Sequence, residues 1–265
     1  MAVVFIASPE SLPHGFVHAQ ARYDSVFEEI SRLAPDEDIL LVVRDAVGER
    51  IARGVRMALS NRRIGIYATD APVTLFFMYA AVLDLLPADH LGMAELVATQ
   101  VAANSQCQVL VSSVAKISRP NPKLLDHALS ALPWSRFRVD WTNQQITREK
   151  QLRTLQAPLL IAAKSQAQWK DDKLDPLPND VVMLPSQPDS HWEAKRWIEL
   201  SVFFLYPEAL AQGIVDAGAR EGAPRCVSCT RLGGGERCLF CEVPVKGNSH
   251  DVITNPQPEF AGGNL

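Results

Sequence analysis

The sequence predicts an α/β protein: a Rossmann-like three-layer domain with a mostly parallel sheet, then a helical segment, then a small C-terminal four-cysteine zinc ribbon. Three observations carry this. Short runs that are apolar throughout alternate with amphipathic stretches, the pattern of parallel strands covered on both faces by helices. Two C-x-x-C pairs, Cys226/Cys229 and Cys238/Cys241, lie eight residues apart near the end of the chain, a spacing suited to one tetrahedral metal. Between these regions, Ser190-His191-Trp192-Glu193 has the S-x-x-E form that opens helices, and it heads an apolar stretch to residue 205.

The elements follow in order. Residues 2–7 form an apolar run ending in Ser8-Pro9, a first strand. Residues 16–34 place Val17, Ala21, Phe27, Ile30 and Leu33 at helical spacing. Ile39–Val43 reads as a buried strand, 47–61 as a helix with Val47, Ile51, Val55 and Leu59 on one face, and Ile64–Ala68 as a third strand. Two helices, 73–86 and 91–104, precede a strand at 108–112. A helix at 121–132, a strand at 137–141, a polar helix at 144–155 and strands at 158–163 and 181–184 complete the domain. A long helix over 190–205 and a second over 207–218, with Pro207 in its first turn, form the helical segment. The predicted units are 1–188, 189–221, 222–244 for the ribbon, and a flexible tail at 245–265.

The 265 residues allow one large domain, or one domain and a small module. With 47% hydrophobic and 21% charged residues, the chain has enough apolar content to bury a core, which excludes a disordered polymer. The most apolar window, 73–86, is broken by Asp84 and falls short of the ~20 residues needed to span a bilayer. The apolar N-terminus has no basic leader, so no secretory signal is expected. With four of five cysteines at metal spacing and Cys107 alone, a reducing cytoplasm is the expected setting.

The four cysteines make a complete, closed ligand set, so the expected cofactor is structural Zn²⁺, without the open position that metal catalysis requires. Gly233-Gly234-Gly235 between the pairs reads as the reversal of a hairpin, at positive φ.

Charge is uneven. Residues 1–43 carry a net −5, 44–164 a net +6, and 165–265 a net −5. Within the basic centre, Arg44, Arg50, Arg53, Arg56, Arg62 and Arg63 fall within twenty residues, and Lys116, Arg119 and Lys123 form a further cluster. Arginine makes multidentate contacts to phosphate, and Trp134 and Trp141 are suited to stacking on bases; the alternative is a solvated face with internal pairs such as Glu49–Arg53. At the carboxyl ends of the predicted strands, where parallel sheets bind ligands, Ser8, Asp45 and Asp70 form a candidate ligand pocket. The glycine fingerprints of dinucleotide and P-loop sites are absent from the first turn, and no catalytic residues are assigned. These features lead to the expectation of a non-catalytic subunit or adaptor of a nucleic-acid-handling complex, with RNA or DNA on the basic centre and the ribbon docking a protein partner or the nucleic acid. The alternatives are a nucleotide-binding Rossmann-like enzyme or sensor and a protein-interaction scaffold.

Overall fold

The computed structural model describes residues 2–6, 18–33, 36–117, 120–132, 135–149, 151–153, 156–167, 169, 177, 180–186 and 192–246. The apolar runs near the N-terminus become adjacent parallel strands. β1 (Ala2–Ile6), the short β2 (His18–Ala19), β3 (Ile39–Val43) and β4 (Ile64–Ala68) form a four-stranded sheet in the order β2-β1-β3-β4. Val4, Leu41 and Ile66 share one register across it.

Alternate residues point to opposite faces of a strand, and both faces of this sheet are buried. On one face Val4, Ile6, Leu41 and Val43 meet Val26 and Ile30 of α1 (Tyr23–Arg32) and Ala52 and Val55 of α2 (Ala46–Leu59). Asp45 caps α2 by accepting a 2.7 Å hydrogen bond from the Gly48 amide, which satisfies one of the donors every helix start leaves open. On the other face Val3, Phe5, Leu40 and Val42 join the main core.

That core is centred on α3 (Val73–Asp84), which is apolar on almost every side and therefore buried on almost every side. It packs on β1 in one direction and on β8 (Leu159–Lys164) and β10 (Trp197–Phe203) in the other. A 3-10 turn at Ala88–Met93, α4 (Ala94–Ala103) and α6 (Pro207–Ala219) complete this helical layer.

The second sheet has six strands in the order β7-β6-β5-β10-β8-β9, adding β5 (Ser105–Val111), β6 (Phe137–Asp140), β7 (Gln145–Thr147) and β9 (Val182–Met183). Its pairings are antiparallel except β8 with β9. A short α5 (Leu124–Leu129) lies between β5 and β6. The fold is thus mixed α/β, with one parallel sheet, a shared helical layer and a second, largely antiparallel sheet. It is not a plain Rossmann domain.

Two predicted helices give way to strands, and this corrects the first half of the segment read as helical over 189–221; its second helix, expected over 207–218, is α6. Trp197–Phe203 is the middle strand β10, between β5 and β8. Trp197, Glu199, Ser201 and Phe203 alternate with Ile198, Leu200 and Val202, and the period of two was obscured because Glu199 and Ser201 are polar yet fully buried. Glu193, read as the last residue of a capping box, has φ 46° and sits in the left-handed region; Ser190 and His191 lie outside the described residues. The polar helix expected over 144–155 is replaced at its start by a turn at Gln144, φ 53°, that leads into β7.

Candidate functional site

The four cysteine sulfurs lie within 4.8 Å of one another. Cys226–Cys241, Cys229–Cys238 and Cys229–Cys241 are separated by 3.3, 3.6 and 3.8 Å. A tetrahedral zinc with Zn–S bonds of about 2.3 Å requires sulfur separations of about 3.8 Å, so the dimensions fit. Two matching turns produce this convergence. The amide of Cys226 donates to Arg231 O and that of Thr230 to Cys226 O; likewise Cys238 donates to Val243 O and Glu242 to Cys238 O. The left-handed positions belong to Thr230 and Glu242, four residues after the first cysteine of each pair, at φ 61° and 60°. Burial opposes ionisation of Cys226, yet the Cys229 and Ser228 amides and the neighbouring thiols draw its pKa down to about 6, while burial pushes Cys238 up to about 12.

The three glycines of the linker act through close approach, which corrects the expectation of positive φ there. A Cβ on Gly234 would stand 2.7 Å from Leu96 N, and one on Gly235 would stand 1.5 Å from Glu95 Oε2. The Gly234 amide donates to Gly92 O at 3.0 Å. These glycines press the ribbon, including β11 (Arg225–Cys226) and β12 (Val245–Lys246), onto α4 and the turn before it.

The ribbon also closes the open edge of the parallel sheet. The Ile66 amide of β4 donates to Leu239 O at 3.1 Å, so the edge strand is partly covered. Arg231 forks onto Asp38 with bonds of 2.8 and 2.7 Å and lies 4.6 Å over the Phe240 ring. Arg53 and Arg56 pair with Glu242 at 3.1 and 3.3 Å, and Arg56 also donates to Phe240 O.

A second site lies where the carboxyl ends of the parallel strands meet the antiparallel sheet. Glu199 on β10 is fully buried. Its Oε1 accepts from the Thr74 amide at 2.7 Å and the Thr74 hydroxyl at 2.6 Å, and its Oε2 accepts from Trp192 Nε1 at 2.8 Å. Thr74 is in the first turn of α3, where free amides and the helix dipole favour an anion. Ser201 Oγ lies 2.5 Å from Thr74 Oγ1, and burial raises the Cys107 thiol well above its usual range beside them. Arg44, just past β3, is half-buried. Burial lowers its pKa, opposed by the Glu199 and Asp45 charges. No hydrogen bond or ion pair holds its guanidinium among the described residues. Sequence reading missed Glu199, Thr74 and Ser201, because a helix was expected at 190–205; a carboxylate and a hydroxyl two residues apart in an apolar run were the available signal.

The predicted site residues are scattered. Arg53 bonds Glu49 and Glu242, and Arg63 donates to Asp36 O. Arg50 bonds the Ala46 carbonyl of its own helix, and Arg62 and Lys116 are exposed. Lys123 is exposed at the start of α5. Asp45 is a helix cap, Asp70 is exposed, and Ser8, Arg119 and Trp134 lie outside the described residues. Trp141 packs edge-on against Trp192, ring centroids 5.6 Å apart, as a core contact. No helix among the described residues is long and apolar enough to cross a membrane.

No family model and no curated protein matches this chain. Among solved structures, it is similar to a DegV family protein from Eubacterium eligens loaded with heptadecanoic acid. The TM-score is 0.50 at 10% identity, covering 77% of this chain and 100% of that one. A likeness to the Streptococcus pneumoniae Fatty Acid Kinase (Fak) B3 protein loaded with linoleic acid, with a TM-score of 0.42 at 11% identity over 77% of this chain and 100% of that one, is too low to argue from. The DegV likeness concerns the fold, and it corrects the expectation of a nucleic-acid complex subunit: the solved structure that this fold resembles is a DegV family protein loaded with heptadecanoic acid, not a subunit of a nucleic-acid complex. Physically, two of the arginines that prompted the expectation, Arg53 and Arg56, are committed internally, held by the ribbon's Glu242. The nucleotide-binding and scaffold alternatives are not matched either.

Proposed function

We propose that this protein binds a long-chain carboxylic acid where the parallel sheet meets the antiparallel one, with Arg44 receiving the carboxylate. The observation that carries this reading is the likeness of its fold, over the whole length of that other chain, to a DegV family protein whose crystals hold heptadecanoic acid. Arg44 supports it locally as a half-buried guanidinium with donors to spare at the carboxyl end of β3, the position where open α/β sheets take ligands. Arginine matches a carboxylate through two parallel N–H bonds. The helix α3 terminus is not available for that role, since Glu199 already fills it.

The same proposal assigns the four cysteines to a structural zinc. Its role is to clamp the ribbon against the edge of β4, and the closed ligand set gives it no part in chemistry.

Extraction of the purified protein followed by mass spectrometry of the released lipids tests the first assignment, together with titration of a fluorescent fatty acid. Saturable binding, weakened about tenfold or more in Arg44→Ala, is expected. Absence of any bound or bindable acid over a range of chain lengths rejects it.

A further inference from the structure

A cavity of about 400 Å³ lies between β4, α4 and the cysteine ribbon, apart from the junction at Glu199. Its floor is the outer side of β4 at Ile66, Tyr67 and Ala68, and Leu239 adds an apolar wall. The charged groups around it divide into two kinds. Glu49 and Glu242 share Arg53, with bonds of 2.9 and 3.1 Å, and Glu242 also pairs with Arg56 at 3.3 Å, so these two carboxylates are balanced by two guanidiniums. Glu95 and Arg237 do not. Glu95 lines the cavity from α4, its carboxylate set against the bare backbone of Gly235, and that carboxylate makes no hydrogen bond or ion pair among the described residues. Arg237 lines it from the ribbon; it donates to the Glu242 backbone carbonyl at 2.9 Å, a neutral acceptor that leaves its charge uncompensated. A carboxylate and a guanidinium therefore line one cavity without pairing with each other.

We propose that this cavity binds a small zwitterion of the amino-acid class, its ammonium on Glu95, its carboxylate on Arg237, and its side chain against Ile66 and Leu239. Glu95 is half-buried, so its charge loses solvation at a cost, while Arg237 stands exposed at the rim with no counter-charge, and a ligand carrying the complementary pair engages both. The volume is within the range of small-molecule sites. Arg237, Cys238, Leu239 and Glu242 bring one wall from the ribbon, so the site exists only while the ribbon is docked. It is independent of the fatty-acid reading.

The test is a thermal-shift screen of the protein with the common L-amino acids, followed by calorimetric titration of the best stabiliser, its decarboxylated amine and its N-acetyl derivative. Saturable binding by at least one amino acid is expected, about tenfold or more weaker when either charged end is removed. Glu95→Gln and Arg237→Gln should each weaken it to a similar degree while keeping the wild-type circular dichroism. Should either variant fail to fold, the two analogues alone decide the question. The proposal is overturned if no amino acid binds at millimolar concentration, if the analogues bind as well as the parent, or if the folded variants bind like the wild type.

Discussion

The ring of Phe240 occupies the space that a side chain at Gly65 would fill. A Cβ on Gly65 would stand 3.0 to 3.2 Å from three atoms of that ring, and Phe240 is only 1% exposed. An aromatic ring from between two ribbon cysteines is thereby built into the flank of the parallel sheet, with Arg231 stacked on it and Asp38 holding Arg231. Phe240→Ala should lower stability by about 3–5 kcal/mol, the range for emptying a buried aromatic site. Gly65→Ala should cost about 1–3 kcal/mol through overpacking. Urea denaturation of both variants checks this; a Phe240→Ala loss below about 1 kcal/mol would mean the ribbon is not seated on Gly65.

The cysteine cluster belongs to the same assembly. Cys226, Leu232, Cys238 and Phe240 are all buried in the main core cluster with α3 and α4. If zinc holds the knuckles, metal analysis should find about one ion per chain, and Cys238→Ser should lose it. Because the ribbon shares the main core, the unfolding transition of the whole protein should shift down with metal loss, and chelation should do the same. A metal-free protein with unchanged melting would refute the assignment.

How much of this was legible beforehand differs by feature. The four cysteines and strands β1, β3 and β4 could be read directly, since spacing and unbroken apolar runs are local signals; β2 fell inside a stretch read as helical. The docking of the ribbon could not. It depends on pairs such as Arg231–Asp38 and Arg53–Glu242, nearly two hundred residues apart in the chain. Arg53 and Arg56, which in sequence belong to a basic cluster, turn out to be counter-charges for the ribbon's Glu242. The triple glycine was correctly singled out but for the wrong reason, because close approach to Glu95 and Leu96 leaves no mark in the linker itself. In the second sheet, strand β10 was hidden by Glu199 and Ser201, whose polarity in a central strand makes sense only once Thr74 and Trp192 are beside them.

That buried carboxylate makes its own prediction. Glu199→Leu removes an acceptor from the Thr74 amide, the Thr74 hydroxyl and the Trp192 indole; the hydroxyl keeps Ser201 Oγ, while the amide and the indole lose the carboxylate. At about 1–3 kcal/mol for each unsatisfied group, the variant should lose about 2 kcal/mol or more. Glu199→Gln should fall between it and the wild type, since its Oε1 still accepts but its amide nitrogen faces the Trp192 N–H. Equal stability of the leucine variant and the wild type would show that the network does not hold α3 to β10.

Glu95 supplies a pH signature. Burial, aided by the nearby Glu236 charge, raises its pKa above the ordinary 4.5. Between the ordinary value and the raised one, the unfolded chain has released this proton while the folded chain keeps it. Stability then falls with rising pH, because the native state binds more protons than the unfolded state. The contribution is constant below that window and constant again above it. Glu95→Gln removes this dependence, so the melting temperature of the variant should gain on the wild type as pH rises from about 4 to about 7. Many other carboxylates titrate over the same range, but they are common to both proteins and cancel in the difference. A difference that stays flat across the range would mean that Glu95 is as well solvated in the native protein as in the unfolded chain, and that the contact with Gly235 does not form.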